Sequence, residues 1–182
     1  EEEHSKVEDR GQRGVSPQFI PKMIANIAGS QIAIKYGFHG PNYAVTSACS
    51  SATDAIGMAY QLIQSGQTDI VISGGCEAGI TPLTLSGFAN MKALSTQNDN
   101  PTEASKPFDK NRDGFILSEG AGILVLESLE HAEKRNATIL GEIVGYGCTN
   151  DAYHVTRPDN DSRSATKAIN LALKNSNLNP GD

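Results

Sequence analysis

Apolar residues recur along this chain in two rhythms. Ala52, Ala55, Ile56, Ala59, Leu62 and Ile63 fall at helical intervals and place one continuous stripe on one side of a helix. Gly66 follows where a glycine commonly closes a helix. Ahead of the stripe stands a short β-favouring run, Tyr43-Ala44-Val45-Thr46. Residues 41–66 therefore predict strand, sharp turn and helix, with Cys49 at the turn. Helical spacing also predicts a helix over 17–36, through Ile20, Met23, Ile24, Ile27, Ala28 and Ile34, with Gly29 loosening its middle. A last helix is predicted over 162–175, through Ala165, Ala168, Ile169, Leu171, Ala172 and Leu173.

The second rhythm is that of strands. Residues 69–73 read as a buried parallel strand, and 115–117, 123–126 and 138–146 as further strands. Residues 81–94 predict a short helix or a shaped loop, and 128–135 a short helix with Ser128 as its N-cap. Residues 1–14 are charged and glycine-punctuated, which suggests a surface loop; 95–107 and 147–161 are polar loops. Strands alternating with helices indicate an α/β layered sheet.

Composition narrows the function classes. A chain of 182 residues, 38% hydrophobic and 20% charged with 18 glycines, is that of an ordinary soluble globular protein with room for one core. No apolar run approaches the ~20 residues of a membrane span. The net charge of −6, with scattered lysines and arginines, argues against a nucleic-acid partner. Cys49, Cys76 and Cys148 are three widely spaced cysteines, an odd number, which favours a reducing compartment over a disulfide framework or a metal site. The N-terminus shows neither an initiator Met nor a signal-peptide pattern, so the chain is expected to begin partway through a larger protein.

The chemistry centres on Cys49. A thiol near the first turn of a helix faces unpaired N–H groups and the positive end of the helix dipole, both of which favour negative charge on sulfur. The same amides can donate to the oxygen that becomes negative when a thioester carbonyl is attacked. The alternative is a small buried hydrophobe, the commoner fate of a free cysteine. Ser47 and Ser51 occupy the places where a hydrolase elbow carries glycines, so that template does not apply. The glycines of Gly74-Gly75-Cys76-Glu77-Ala78-Gly79 fit no phosphate-loop pattern; they are expected to let backbone approach the nucleophile turn closely. Asp109-Lys110-Asn111-Arg112-Asp113-Gly114 opens like a calcium loop, but Gly120 stands where its glutamate belongs, so a tight salt-bridged turn is expected. Gly120-Ala121-Gly122 precedes a strand rather than a helix, which does not support dinucleotide binding, and His131, among charged neighbours, reads as a solvated surface residue.

Several stretches together resemble one family. TSACSSATDAIG around Cys49, GGCEAGITPL, GFANMKALS and above all SKPFDKNRDGFILSEGAGILVLESLEHAEKR resemble the β-ketoacyl-[acyl carrier protein] synthases, closest to synthase II. Ser118, where the family commonly has glycine, is a small departure. The resemblance implies a partial thiolase-like αβαβα fold: 1–139 from the N-terminal half with the nucleophile, and 140–182 as the start of the C-terminal half. It implies decarboxylative Claisen condensation of an acyl thioester with malonyl-[acyl carrier protein], with Cys49 as nucleophile and no cofactor or metal. The HGT and GHN motifs that carry the family's histidines do not occur here, and none of His4, His39, His131 and His154 matches them. This segment alone is therefore expected not to condense.

Other positions carry over from the resemblance. Phe88 matches a phenylalanine beside the nucleophile pocket, and Phe19 and Ile20 match residues lent to a neighbouring subunit's acyl pocket. Thr156 matches a threonine on the pantetheine arm, with His154 leading into that channel rather than serving as a catalytic base. Arg13 and Lys92 match positions that dock the acidic carrier protein. Strand 41–48 resembles one that pairs across a two-fold axis, implying a homodimer, in the cytoplasm or a plastid stroma, without nucleic acid or membrane. The alternatives are a non-catalytic chain-length or scaffold subunit of a condensing heterodimer, against which the intact Cys49 counts, a polyketide ketosynthase, and a degradative thiolase, whose fingerprints differ.

Overall fold

The computed structural model describes residues 1–181. In chain order the helices are α1 Glu2–Arg10, α2 Phe19–Met23, α3 Ile27–Tyr36, α4 Ser51–Gln64, α5 Pro82–Asn90, α6 Leu129–Lys134 and α7 Arg163–Ser176. The strands are β1 Ile70–Glu77, between α4 and α5, and β2 Gly120–Glu127, between α5 and α6. Packing divides the chain into two interleaved units, one of Glu1–Ala44 with Cys76–Gly120, the other of Val45–Gly75 with the residues from Ala121 onward.

The first unit opens on a helix where the sequence suggested a loop. Glu2 and Glu3 occupy the first turn of α1 and Arg10 the last, complementing the helix dipole. Lys6 reaches Glu3 at 2.6 Å and Glu2 at 3.8 Å. Charges that looked like solvated loop are thus helical neighbours three and four apart. The single helix predicted over 17–36 is two, because Ile24 turns extended at ψ 136°. Gly37, at φ 68°, closes α3 in the left-handed conformation. Gly29 marks a close approach rather than a loosened helix, since a Cβ there would stand 2.5 Å from Oδ1 of Asn42. Residues 81–94 resolve into α5, whose N-cap Thr81 accepts from the Thr84 amide at 3.2 Å.

The expected strand 115–117 is only a single bridge between Leu94 and Phe115. The 109–114 turn is hydrogen-bonded rather than salt-bridged. Asp109 takes the Asn111 amide at 2.6 Å, and Asp113 takes the Ser95 hydroxyl at 2.7 Å, the Thr96 amide at 3.1 Å and the Gln97 side-chain amide at 3.0 Å. Its acids are occupied by neutral donors, and among the described residues none forms an ion pair with its cations.

In the second unit, α4 follows its stripe closely. Ala59 is buried, Ala52, Ala55, Ile56, Leu62 and Ile63 are half-buried, and Thr53, Met58, Gln61 and Gln64 are exposed. Gly66, at φ 69°, closes the helix with the Gly66 amide on the Ile63 carbonyl at 2.9 Å and the Gln67 amide on the Leu62 carbonyl at 3.1 Å. β1 pairs with β2. The Ser128 amide meets the Asp69 carbonyl at 2.9 Å while Gly74 lies against Gly122, so the two strands run antiparallel, not parallel as residues 69–73 suggested. Ser128 also caps α6 as expected, accepting from the His131 amide at 3.3 Å.

Residues 43–46 and 138–146 form no ladder among the described residues, although both were read as strands. A β-favouring run becomes a strand only beside a partner. Over 138–146 the carbonyls are met by side chains instead: the Tyr60 hydroxyl donates to Val144 at 3.3 Å, and the Asn175 amide to Tyr146 at 2.9 Å. Gly145 and Gly147 lie directly on α7, where a Cβ would fall 2.2 Å from the Ala172 carbonyl oxygen and 2.0 Å from that of Ala168. Helix α7 itself spans the predicted residues, between left-handed Ser162 and Asn177. No helix among the described residues is long and apolar enough to cross a membrane.

Candidate active site

Cys49 lies in a tight 3-10 turn, Ala48–Ser50, that leads directly into α4. The preceding residue, Ala48, sits at φ 53°, a left-handed conformation that costs a non-glycine residue roughly 1–3 kcal/mol. That cost is met by a local lattice of serines. The Ser50 amide donates to the Ser47 carbonyl at 3.2 Å, the Ser47 amide to the Ser51 hydroxyl oxygen at 2.9 Å, and the Ser51 hydroxyl to the Ala48 carbonyl at 2.7 Å. Ser50 is the N-cap, yet its side chain makes no capping hydrogen bond. The positive end of α4 therefore faces the turn without a hydroxyl cap from that residue. Cys49 is exposed, as are Cys76 and Cys148.

The floor of the turn is backbone. Gly75 of β1 approaches Ala52, in the first turn of α4, so closely that a Cβ on the glycine would stand 2.6 Å from the alanine Cβ. Gly74, at φ 152°, presses on β2, where a Cβ would meet the Gly122 carbonyl oxygen at 2.1 Å. Gly75 thus approaches the start of α4, just past the nucleophile turn, whereas Gly74 approaches β2 instead.

A polar cluster that sequence reasoning did not single out stands one turn along α4. Asp54 accepts from the Ser47 hydroxyl through Oδ2 and from the Tyr146 hydroxyl through Oδ1, the latter at 2.6 Å. These bonds, from Ser47 first and then Tyr146, with a smaller one from Cys148, hold the carboxyl below its usual range against partial burial. Burial first, and then Asp54, push the Tyr146 hydroxyl far up, so it stays a protonated donor. Gly57 makes room for the tyrosine: a Cβ there would stand 2.3 Å from the ring. The available signal in the sequence was an acid at Asp54 interrupting an apolar stripe, and a tyrosine set between Gly145 and Gly147.

The remaining candidates divide by unit. In the second unit Thr156 is exposed, and its amide, with that of Arg157, donates to Nδ1 of His154 at 3.1 and 3.2 Å. Nδ1 serves as an acceptor, so this ring orders its own loop. His131 is not a freely solvated residue: its Nδ1 lies 2.8 Å from Glu127, which also takes Arg135 in a two-pronged pair. Arg135 first, and also His131, draw the Glu127 carboxyl from 4.5 to about 2.

In the first unit Phe88 packs edge-on against Phe115, with centroids 5.1 Å apart. Phe19 sits under α1 beside Val7 and Val15, whereas Ile20 faces outward, 56% exposed. Arg13 is exposed in a 3-10 turn after α1. Lys92, at φ 58°, lines an open cavity of about 950 Å³ together with Lys106 and Arg112. Among the described residues no group of three or more His, Cys, Asp or Glu side chains is placed to hold a metal ion.

Comparison with known proteins gives a consistent result. The family described as "Beta-ketoacyl synthase, N-terminal domain" matches residues 1–132. The 3-oxoacyl-[acyl-carrier-protein] synthase 2 of Synechocystis sp. is 51% identical over 99% of this chain and 43% of its own length. That of Staphylococcus aureus is 45% identical over 98% of this chain and 44% of its own. A ketosynthase solved with its type II polyketide acyl-carrier protein superposes with a TM-score of 0.89 at 34% identity, over 93% of this chain and 42% of that one. A β-ketoacyl synthase from Burkholderia phymatum superposes at 0.87, also 34% identical, over 97% of this chain and 43% of that one. The chain thus spans less than half the length of these relatives, and its α/β fold is part of the thiolase-like fold of ketosynthases. An exposed cysteine on a strained turn ahead of a helix, inside a matching fold and a matching sequence, places this chain in the β-ketoacyl synthase family.

Proposed function

We propose that the protein is the nucleophile-bearing part of a decarboxylating condensing acyltransferase of fatty-acid elongation. Cys49 attacks the thioester carbonyl of an acyl-[acyl carrier protein]; a new carbon–sulfur bond forms and the carrier thiol leaves. Malonyl-[acyl carrier protein] then loses carbon dioxide, and the resulting carbanion attacks the Cys49 thioester. The new carbon–carbon bond forms as the cysteine sulfur departs. The observation that carries this reading is the position of Cys49: exposed, fixed by a strained serine-laced turn, and facing the start of α4. Dipole and amides there favour the oxyanion that forms when a thioester carbonyl is attacked.

Supporting residues take the roles that the family pattern suggests. Thr156 contacts the pantetheine arm, Phe88 borders the acyl pocket, and Phe19 and Ile20 line the acyl pocket of a second copy in a homodimer. The outward-facing Ile20 suits such a role. Arg13 and Lys92 receive the carrier protein; Lys106 and Arg112 beside Lys92 concentrate positive charge on a chain whose net charge is −6. Residues 140–182 begin the C-terminal half. Decarboxylation falls to histidines carried outside this sequence. The 51% identical synthase 2 favours a fatty-acid substrate over a polyketide one, since the polyketide ketosynthase is 34% identical.

All three cysteines are exposed, so access alone does not separate them. Treating the full chain with substoichiometric iodoacetamide and mapping the adducts is the direct test. Preferential labelling of Cys49 over Cys76 and Cys148 is expected. Equal labelling of the three would remove the proposed nucleophile.

A further inference from the structure

We infer that Asp54 is a positioning residue whose carboxylate clamps the Cys49 turn to the segment running from Tyr146 to Thr156, and so sets where the sulfur stands relative to the incoming thioester arm. The inference rests on Cys49 being the acyl acceptor. Each carboxylate oxygen holds one side of the clamp. Oδ2 takes the Ser47 hydroxyl and Oδ1 the Tyr146 hydroxyl at 2.6 Å, the latter 92 positions from Asp54 in sequence.

Both sides are themselves fixed, so the carboxylate has two rigid bodies to join. Ser47 is tied through its own amide to the Ser51 hydroxyl at 2.9 Å, and Ser51 to the Ala48 carbonyl at 2.7 Å, which leaves Cys49 little freedom of its own. On the other side, the Tyr146 ring fills the gap left by Gly57, one helical turn beyond Asp54. From there the chain is pinned along its length. The Thr149 hydroxyl donates to the Ser164 carbonyl at 2.7 Å, the Asp159 amide to Asp151 at 2.9 Å, and His154 gathers the amides of Thr156 and Arg157. Removing the Asp54 carboxylate therefore loosens the Cys49 turn at Ser47 and the arm segment at Tyr146 together.

The test uses the full chain and second-order rates of Cys49 alkylation by iodoacetamide, with Cys76 alkylation as internal reference and circular dichroism as the check on folding. Asp54→Asn keeps the shape but leaves one of the two hydroxyls facing an amide N–H, and is expected to slow Cys49 labelling about tenfold or more, the scale set by sub-ångström misplacement of reacting groups. Ser47→Ala and Tyr146→Phe are each expected to slow it by several fold, with Ser47→Thr restoring the rate. Tyr146→Phe added to Asp54→Asn is expected to cost little more than Asp54→Asn alone, because the partners form one unit. Gly57→Ala, which touches no polar atom, is expected to mimic Tyr146→Phe by evicting the ring. Should Asp54→Asn fail to fold, Ser47→Ala and Tyr146→Phe carry the same readout with the carboxylate in place. Folded variants that all label at the wild-type rate overturn the clamp while leaving Cys49 as nucleophile. A wild-type chain without preference for Cys49 overturns the underlying reading and the clamp with it.

Discussion

Two turns of this molecule are each organised by one aspartate, and they differ in reach. Asp113 gathers the Ser95 hydroxyl, the Thr96 amide and the Gln97 side chain, all within 18 positions along the chain. Asp54 gathers Ser47, 7 positions away, and Tyr146, 92 positions away. Both carboxyls lie below their usual range for the same reason, donors aimed at the ionised form. Asp113 shapes a loop; Asp54 relates two segments. Only the second kind of carboxylate ties together segments distant along the chain.

The comparison can be broken at several points, and the largest effect is chemical. Cys49→Ala is expected to abolish stable acyl transfer in the full chain, whereas Cys76→Ala leaves it near wild type, both read by radiolabelled acyl incorporation. Next come two glycines under close backbone contact, Gly74 between the strands and Gly114 beside the Asp113 turn. A Cβ at Gly74 would meet the Gly122 carbonyl oxygen at 2.1 Å, and one at Gly114 the Leu94 carbonyl carbon at 2.3 Å, with φ of 152° and 147°. Gly74→Ala and Gly114→Ala are each expected to cost roughly 3 kcal/mol or more in denaturant unfolding. Gly40→Ala, with open space around it, is the mild control.

A sharper distinction comes from Asp113→Ala. It is expected to lower the thermal midpoint while leaving the Cys49 alkylation rate unchanged, because its bonds end within its own loop. A fall in that rate would erase the contrast between the two aspartates. The smallest effect belongs to a third carboxylate, Glu127, held by Arg135 and His131 at about 2 against an ordinary 4.5. A depressed carboxyl contributes stability above its unfolded value, and that contribution is lost as pH falls toward the folded one. Glu127→Gln is therefore expected to be less stable than wild type at pH 7, with the gap closing between about pH 4.5 and about 2 in pH-dependent melts.

What was legible in the sequence was what local rules determine. The stripe of α4, the Gly66 closure, the Ser128 cap and the span of α7 all follow from spacing within a few residues, as does the place of Cys49 at the start of a helix. Residues 1–14 misled because their charges satisfy one another only once coiled. Residues 43–46 and 138–146 misled because strand propensity describes a fit to a neighbour, and the described residues supply none. The direction of β1 could not be read either: an apolar run looks alike whichever way its partner points. Asp54 and Tyr146 were invisible as a pair, since each alone is an unremarkable polar residue and only the fold closes the distance between them.

The twin glycines at the end of β1 carry one more implication. Beneath the sulfur-bearing bend the protein offers main chain instead of side groups, with Gly75 set against Ala52 and Gly74 against Gly122. Such a surface has no rotamers to exchange and no atoms to trim, so substitution cannot reshape it gradually. Any change in the shape of the surface beside Cys49 has to come from side chains elsewhere, because these two positions have none to change.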